Sequence, residues 1–400
     1  MSIKFKKLTL AETLSLFSLI LFLLISLLNT TFYARYISGA IYNVGILTSV
    51  ILLIIKELIN NKLNFQKAIS LIGVIIVYAL VGSVTGFLST LAISVIFIFS
   101  LRDISFRYVA KTSFYISLFT LIFVILSSQI GLISNYIEFS GGRIRHYLGF
   151  RYSLFPSTVM LNIIASSFFL AQDKVSYKRL FFLFLSTTWI FFQTDSRLTF
   201  ISSLLLLGIN LVVKWYPSIL KSSRLLLKTF KLTYIVNACL SYLIAKMYLS
   251  FSSPFLNELS KNINQFLGGR IYYANRSLNI YGYNLFGQKI NWIGNGLDIN
   301  GQRGLSEYLY VDNLYIQILQ RYGLFVLVIL LLIFTLTLHY LLKQKQYVLS
   351  LILIILSFHA MIDDLIINLH YNIFLILIGT LMNQNQSAFE ENLQLDNGEK

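Results

Sequence analysis

Three groups of polar residues in this sequence have types and spacings suited to binding a charged, sugar-like substrate. The first is Gly141-Gly142-Arg143-Ile144-Arg145-His146-Tyr147-Leu148-Gly149-Phe150-Arg151, which runs up to Pro156. Arginine presents a planar fork of donors that meets phosphate oxygens two at a time. Paired glycines let a ligand come close to the backbone. The same cluster would also suit anchoring to anionic lipid headgroups. The second group, Thr194-Asp195-Ser196-Arg197, is a hairpin between two short apolar stretches. Charges so near a membrane boundary are functional or paired, so pairing or helix capping stands beside a ligand role.

The third group is the polar stretch 250–321. Gly268-Gly269-Arg270, Tyr272, Tyr273 and Arg276 lie near its start. Trp292, Gly294-Asn295-Gly296, Asp312-Asn313-x-Tyr315 and Arg321-Tyr322-Gly323-Leu324 lie toward its end. Tyrosine faces stack on sugar rings, and arginine takes phosphates or hydroxyls. Any single Tyr or Trp also fits the aromatic belt of a membrane interface, but a loop this long is uncommon without a function. A further set, His359, Asp363, Asp364 and His370, suggests metal chemistry by residue type. Its spacing singles out no metal, and a structural or substrate-orienting role is the better reading.

The elements that position these groups are apolar. Hydrophobic residues make up 56% of the chain and charged residues 12%, and the mean hydropathy is +0.73. A soluble domain carries about 25% charged residues. A hydrocarbon core needs roughly 17–25 apolar residues per helix, which predicts an all-α polytopic membrane protein of about 12 transmembrane helices (10–12). The expected spans are 8–28, 40–55, 68–82, 85–101, 113–133, 155–171, 180–193, 199–213, 232–249, 322–342, 347–362 and 370–382. One integral membrane domain, 1–400, carries one large extracytoplasmic loop, 250–321, before the last three helices.

The net charge of +16 marks topology rather than nucleic acid. Lys4, Lys6 and Lys7 precede the first span; Lys56, Lys62 and Lys67 follow the second; Arg102, Arg107 and Lys111 follow the fourth. Lys174, Lys178 and Arg179 follow the sixth, and Lys343 and Lys345 the tenth. This positive-inside alternation places both termini, including the tail 383–400, in the cytoplasm and the large loop outside. The basic start reads as a retained first helix rather than a cleaved signal. Cys239, the single cysteine, permits no internal disulfide. A P-loop and the G-x-S-x-G and H-E-x-x-H motifs are absent from the sequence, which leaves ATP-driven export and the commonest hydrolase chemistries without their residues.

Taken together, these features resemble the Wzy-type bacterial polysaccharide polymerases, which extend O-antigen or capsule repeat units and belong with the O-antigen ligases. Arg145-x-x-x-Gly149-Phe150 with Pro156 behind it is similar to the short arginine motif before a middle span. Gly294-x-Gly296…Asp312-Asn313-x-Tyr315…Tyr322-Gly323-Leu324 resembles the end of the family's large loop. Ligases carry a His-Asn pair where this chain has Asp312-Asn313, and aspartate fits the polymerase branch.

The resemblance implies a GT-C-like glycosyltransferase of the bacterial plasma membrane. It would join undecaprenyl-diphosphate-linked oligosaccharides into a capsule, exopolysaccharide or O-antigen, with no metal or other cofactor. Its partners would be membrane lipids and a flippase and chain-length regulator of the same pathway, with no nucleic acid. A hydroxyl of one repeat attacks the anomeric carbon of the growing chain and expels the lipid diphosphate. Arginines must then stabilise the leaving charge, and Arg143, Arg145, Arg151, Arg197, Arg270 and Arg276 are the candidates, with Arg145, Arg197 and Arg276 foremost. Asp312 is the first choice of general base, followed by His146 and Asp195; Tyr273, Asn313 and Tyr315 are expected at the glycan. The alternatives are a flippase for the same lipid-linked oligosaccharides and an inert scaffold. A flippase would carry its charges inside the bundle and have short loops.

Overall fold

The structure, a computed structural model, describes residues 8–59, 65–140, 142–222, 224–304 and 307–382. Lys4, Lys6, Lys7, Lys62, Gly141 and the tail 383–400 lie outside the described residues. The described residues are about 72% helical. Its first half holds α1 (Leu10–Asn29), α2 (Gly39–Ile59), α3 (Phe65–Thr85), α4 (Thr90–Ser100), α5 (Phe106–Gln129) and α6 (Leu154–Ala171). There follow α7 (Tyr177–Thr194), α8 (Arg197–Trp215), the short α9 (Ile219–Ser222) and α10 (Arg224–Thr229), and α11 (Thr233–Lys246). The large loop holds α12 (Pro254–Phe266), α13 (Arg270–Tyr281) and α14 (Leu314–Arg321). After it come α15 (Gly323–Lys343), α16 (Tyr347–His359) and a closing 3-10 segment, Ile373–Met382.

Each of the twelve apolar stretches falls on one of these helices. Among the described residues, seven helices are long and apolar enough to cross a membrane, and three shorter apolar ones are Thr90–Ser100, Tyr347–His359 and Ile373–Met382. Among the described residues the one strand pairing beyond single bridges is a hairpin, β1 (Ile137–Ser140) with β2 (Arg143–His146), pairing Glu138 with Arg145 and Ser140 with Arg143. The basic cluster is therefore partly a strand, with Arg143 and Arg145 on one side because successive side chains alternate.

Local chemistry starts and joins the helices. Thr9 and Glu12 form a reciprocal capping box at the start of α1, which satisfies otherwise unpaired amides. Small residues let α1 and α2 approach closely, as in membrane helix pairs: the Ser18 hydroxyl donates to the Ser49 carbonyl at 2.7 Å. The axis of the bundle is α6, buried on nearly every side. Its Asn162 donates to Ser113 of α5 at 3.1 Å and accepts from the Ile373 amide at 3.2 Å. Pro156 lies in the first turn, where its missing N–H costs nothing.

Two clusters mark the two ends. At the C-terminal ends of α2 and α4, buried Lys56 contacts Glu57 and the Ser100 carbonyl, while Arg102 pairs with Glu57. At the opposite end gather the hairpin, the α7–α8 turn, the large loop and the segment 360–372. The large loop is in part packed into the bundle. Its last helix, α14, is core: Leu314 through Gln320 are all buried. The Asn313 side chain caps it, accepting from Ile316 at 3.2 Å and donating to the Met361 carbonyl at 2.8 Å.

Candidate functional site

A cavity of about 290 Å³ opens among the connections at the loop-bearing end. Its lining draws Tyr152 and Phe155 from the α6 entrance and Gly294, Asn295, Gly296, Tyr308, Tyr310 and Asp312 from the large loop. Asp364 and Leu365 come from the segment after α16. Three connections, the α5–α6 connection with its hairpin, the large loop and the segment after α16, converge here because the large loop is pinned to the other two. The Leu314 amide donates to the Ala360 carbonyl at 2.9 Å, and the Leu297 amide to the Arg151 carbonyl at 2.8 Å. Ile293 and Leu309 form an antiparallel bridge. Arg303 of the loop reaches the hairpin, meeting Glu138 at 2.8 Å and the Tyr147 hydroxyl at 2.7 Å.

Asp312 is the one charged residue of the large loop on that lining. Arg270, the first residue of α13, faces it with Nε 3.5 Å from Oδ2, and both side chains are largely buried. The turn Gly268-Gly269, with both residues at positive φ, delivers Arg270 to that position; such a turn is easy only for glycine. Burial raises the Asp312 carboxyl above its ordinary range, Arg270 opposes this, Asp363 adds to it, and Arg145 opposes it again. Arg145 therefore acts electrostatically on Asp312, and it also acts on the Tyr152 hydroxyl. Its Nε is buried without a hydrogen-bond acceptor. The Nε atoms of Arg151, Arg270 and Arg303 are buried in the same way.

The tyrosines give the cavity its walls. Tyr308 packs edge-on against Tyr273 at 4.7 Å between ring centroids, and Tyr152 against Phe155 at 5.5 Å. Burial pushes the Tyr152, Tyr308 and Tyr310 hydroxyls up, so they stay neutral donors. Asp364 accepts from Tyr310 at 2.7 Å and from Gln317 at 2.8 Å. Burial first, then the charges of Asp312 and Asp363, raise its carboxyl well above the usual range.

No protein-family model, curated protein or solved structure matches the chain.

Among the residues singled out from sequence, Asp312, Arg270, Arg145 and Tyr273 come together at or beside the cavity. The others are placed elsewhere. Asp195 ends α7 in the left-handed conformation, which aspartate tolerates better than most residues. Arg143 Nε contacts its carboxylate, and Arg197 Nε donates to it at 3.1 Å. Burial alone would raise this carboxyl, but the hydrogen bonds from Arg143 and Arg197 hold it below the usual range. A carboxylate so stabilised is a poor proton acceptor. Arg143 and Arg197 stay partly open to solvent. His146 sits opposite Ile137 at the end of β2 and is not on the cavity lining.

Arg151 is a clasp: its guanidinium donates to the Asn29 carbonyl at 2.6 Å, tying α1 to the base of α6. Asn313 is occupied as the α14 cap. Tyr315 is 4% exposed and donates to the Ser357 carbonyl at 2.7 Å, so its ring belongs to the core rather than to a glycan surface. Arg276 forms a bidentate pair with exposed Glu307, at 2.7 and 3.1 Å. The suspected metal set is split. Buried His359 bridges Ser202 at 2.9 Å and Asp363 at 3.2 Å, while Asp364 faces the cavity. No group of three or more His, Cys, Asp or Glu able to hold a metal ion occurs among the described residues.

Sequence reasoning missed Tyr152, Tyr308, Tyr310 and Phe155. Tyr152 follows directly on Arg151, and Tyr308 and Tyr310 alternate toward Asp312. That period-two spacing before an acid was the available signal.

Proposed function

We propose that this chain is a polymerase of the bacterial plasma membrane. It joins undecaprenyl-diphosphate-linked oligosaccharide repeat units into a surface polysaccharide on the outer face, with both termini in the cytoplasm. The observation carrying this reading is Asp312 on a tyrosine-walled cavity, faced by Arg270 and within the field of Arg145.

A hydroxyl of the acceptor repeat attacks the anomeric carbon of the donor chain. A new C–O bond forms while the bond to the diphosphate breaks, and its electron pair leaves with the lipid diphosphate. Asp312 takes the hydroxyl proton as general base. Arg145 and Arg270 oppose the charge that develops on the leaving group, in a site dry enough for that attraction to count. Neutral tyrosine rings supply flat, wettable walls against which sugar rings pack.

The test is a reconstituted reaction: purified protein in liposomes, lipid-diphosphate-linked repeats, chelator present and nucleotide sugars omitted. A ladder of products with released undecaprenyl diphosphate is expected. Movement of the lipid between leaflets without a ladder would replace this reading with a transporter.

Two expected outcomes arise from the site itself. The base acts deprotonated, so activity is lost as pH falls through the Asp312 pKa. Because that pKa is raised, the acid limb of a single-turnover pH–rate profile should lie above the ordinary aspartate value of about 3.9. A limb set by Asp195 would lie below it, since that carboxyl is lowered. The second concerns Arg276, which is partly exposed and paired with exposed Glu307. Exposed pairs contribute little, so Arg276→Ala should leave the product ladder unchanged on a gel of the reconstituted reaction.

A further inference from the structure

Helix α12 is the most amphipathic surface element outside the bundle, and it faces the protein with its polar side. Phe255, Leu256, Leu259, Ile263 and Phe266 are all exposed, Phe255 at 71% and Phe266 at 61%. At 3.6 residues per turn these five fall within about 100° of one another. The side turned to the protein is instead polar. Asn257 exchanges hydrogen bonds with Phe251, and Asn264 joins Tyr248 at 3.3 Å and the Tyr272 amide at 2.9 Å. A third side carries Glu258, Lys261 and Gln265. In water such an arrangement is inverted, since the apolar stripe has no cover.

Lipid resolves the inversion. Helix α11 ends at Lys246 with Val236, Leu240, Leu243, Ile244 and Met247 exposed on its outside. Only residues 247–253 separate it from α12, and Leu249 continues the exposed apolar surface between them. The stripe of α12 thus extends a surface already turned to the hydrocarbon. We propose that α12 is an interfacial helix whose stripe of Phe255, Leu259, Ile263 and Phe266 lies in the lipid headgroup region at the loop-bearing face. Helices that divide sharply into an apolar and a polar side, yet are too polar as a whole to span the bilayer, lie in that plane. The charged side of α12 then faces water.

On the polymerase reading, this placement reaches the site. The two-glycine turn after α12 leads directly to Arg270. Lipid that holds α12 holds the base of that turn, and with it the guanidinium opposite Asp312.

The test needs no catalysis. In full-length protein carrying Cys239→Ser, an environment-sensitive fluorophore is attached at Ile263→Cys or at Glu258→Cys, and each is reconstituted in phosphatidylglycerol–phosphatidylcholine vesicles. At 263 the expected result is blue-shifted emission, strong quenching by lipids bearing a nitroxide near the headgroup, and little by aqueous iodide. At 258 the quenching order should reverse. Equal iodide quenching at both positions would overturn the proposal in favour of an aqueous surface. Shielding of 263 from both quenchers would overturn it in favour of a covering protein, including a second copy of this chain. Either failure leaves the polymer-ladder assay, and the proposed function with it, untouched.

Discussion

Asp312→Asn is expected to lower polymer formation by about 10²–10⁴-fold, the usual contribution of a positioned general base, without unfolding the protein. Asparagine keeps the size and shape of the side chain and removes its charge and proton affinity. The local backbone does not depend on the carboxylate: Asn313 caps α14, and the Leu314 amide is held by Ala360. Arg270 keeps its hydrogen bond to the Leu267 carbonyl at 3.0 Å. Monodisperse yield in detergent should therefore be retained, with the thermal midpoint lowered only by the loss of the charge opposite Arg270, while the ladder disappears. Asp364→Asn is the matched control, because that carboxyl already accepts from Tyr310 and Gln317 and its raised pKa keeps it largely protonated. Its loss should be much the smaller. Full-length polymer from Asp312→Asn, or a larger defect in Asp364→Asn, would remove Asp312 from the role of base.

The sequence made the helices legible because burial in lipid needs long apolar runs, and nothing else in a chain looks like them. It made Asp312, Arg270 and Arg145 legible because charged residues are few here and each one stands out. Tyrosines do not stand out: there are 25, and only packing tells Tyr308, which lines the cavity, from Tyr315, which is buried against α16. Burial of α14 was hidden by its glutamines. Gln320 is fully buried and satisfied by Ser277 and Gly282 of the same loop, and partners so distant in sequence cannot be read from spacing. The inference that arginines gather at phosphate could not tell a free guanidinium from an occupied one. Arg151 and Arg276 are held through their terminal nitrogens by a carbonyl and a carboxylate, although the Arg151 Nε, like that of Arg145, has no acceptor.

Gly323→Ala is expected to destabilise the protein by more than the roughly 1–3 kcal/mol that a disfavoured backbone conformation alone costs. Gly323 stands at φ +90, and an added Cβ would lie 2.3 Å from the Gly287 nitrogen and 2.4 Å from the Leu285 carbonyl oxygen. The relation is reciprocal. A Cβ on Gly287, itself at φ +84, would lie 2.4 Å from the Arg321 carbonyl oxygen. All of these are backbone atoms, so no side chain can rotate away. The two glycines allow residues 284–288 to hook over the α14–α15 junction through three hydrogen bonds. Leu324 donates to Asn284 at 3.1 Å, Phe325 to Leu285 at 3.0 Å, and Gln288 to Arg321 at 3.2 Å. That hook is the near end of the stretch that carries Asn295, Tyr308, Tyr310 and Asp312 to the cavity. Its loss should lower the thermal midpoint in detergent and, in whatever protein still folds, loosen the cavity wall. Gly304→Ala is the comparison, since nothing lies within 4 Å of its added Cβ and its φ is not in the left-handed region. Equal midpoints for the two variants would mean that the junction opens in solution and that the hook does not hold the cavity together.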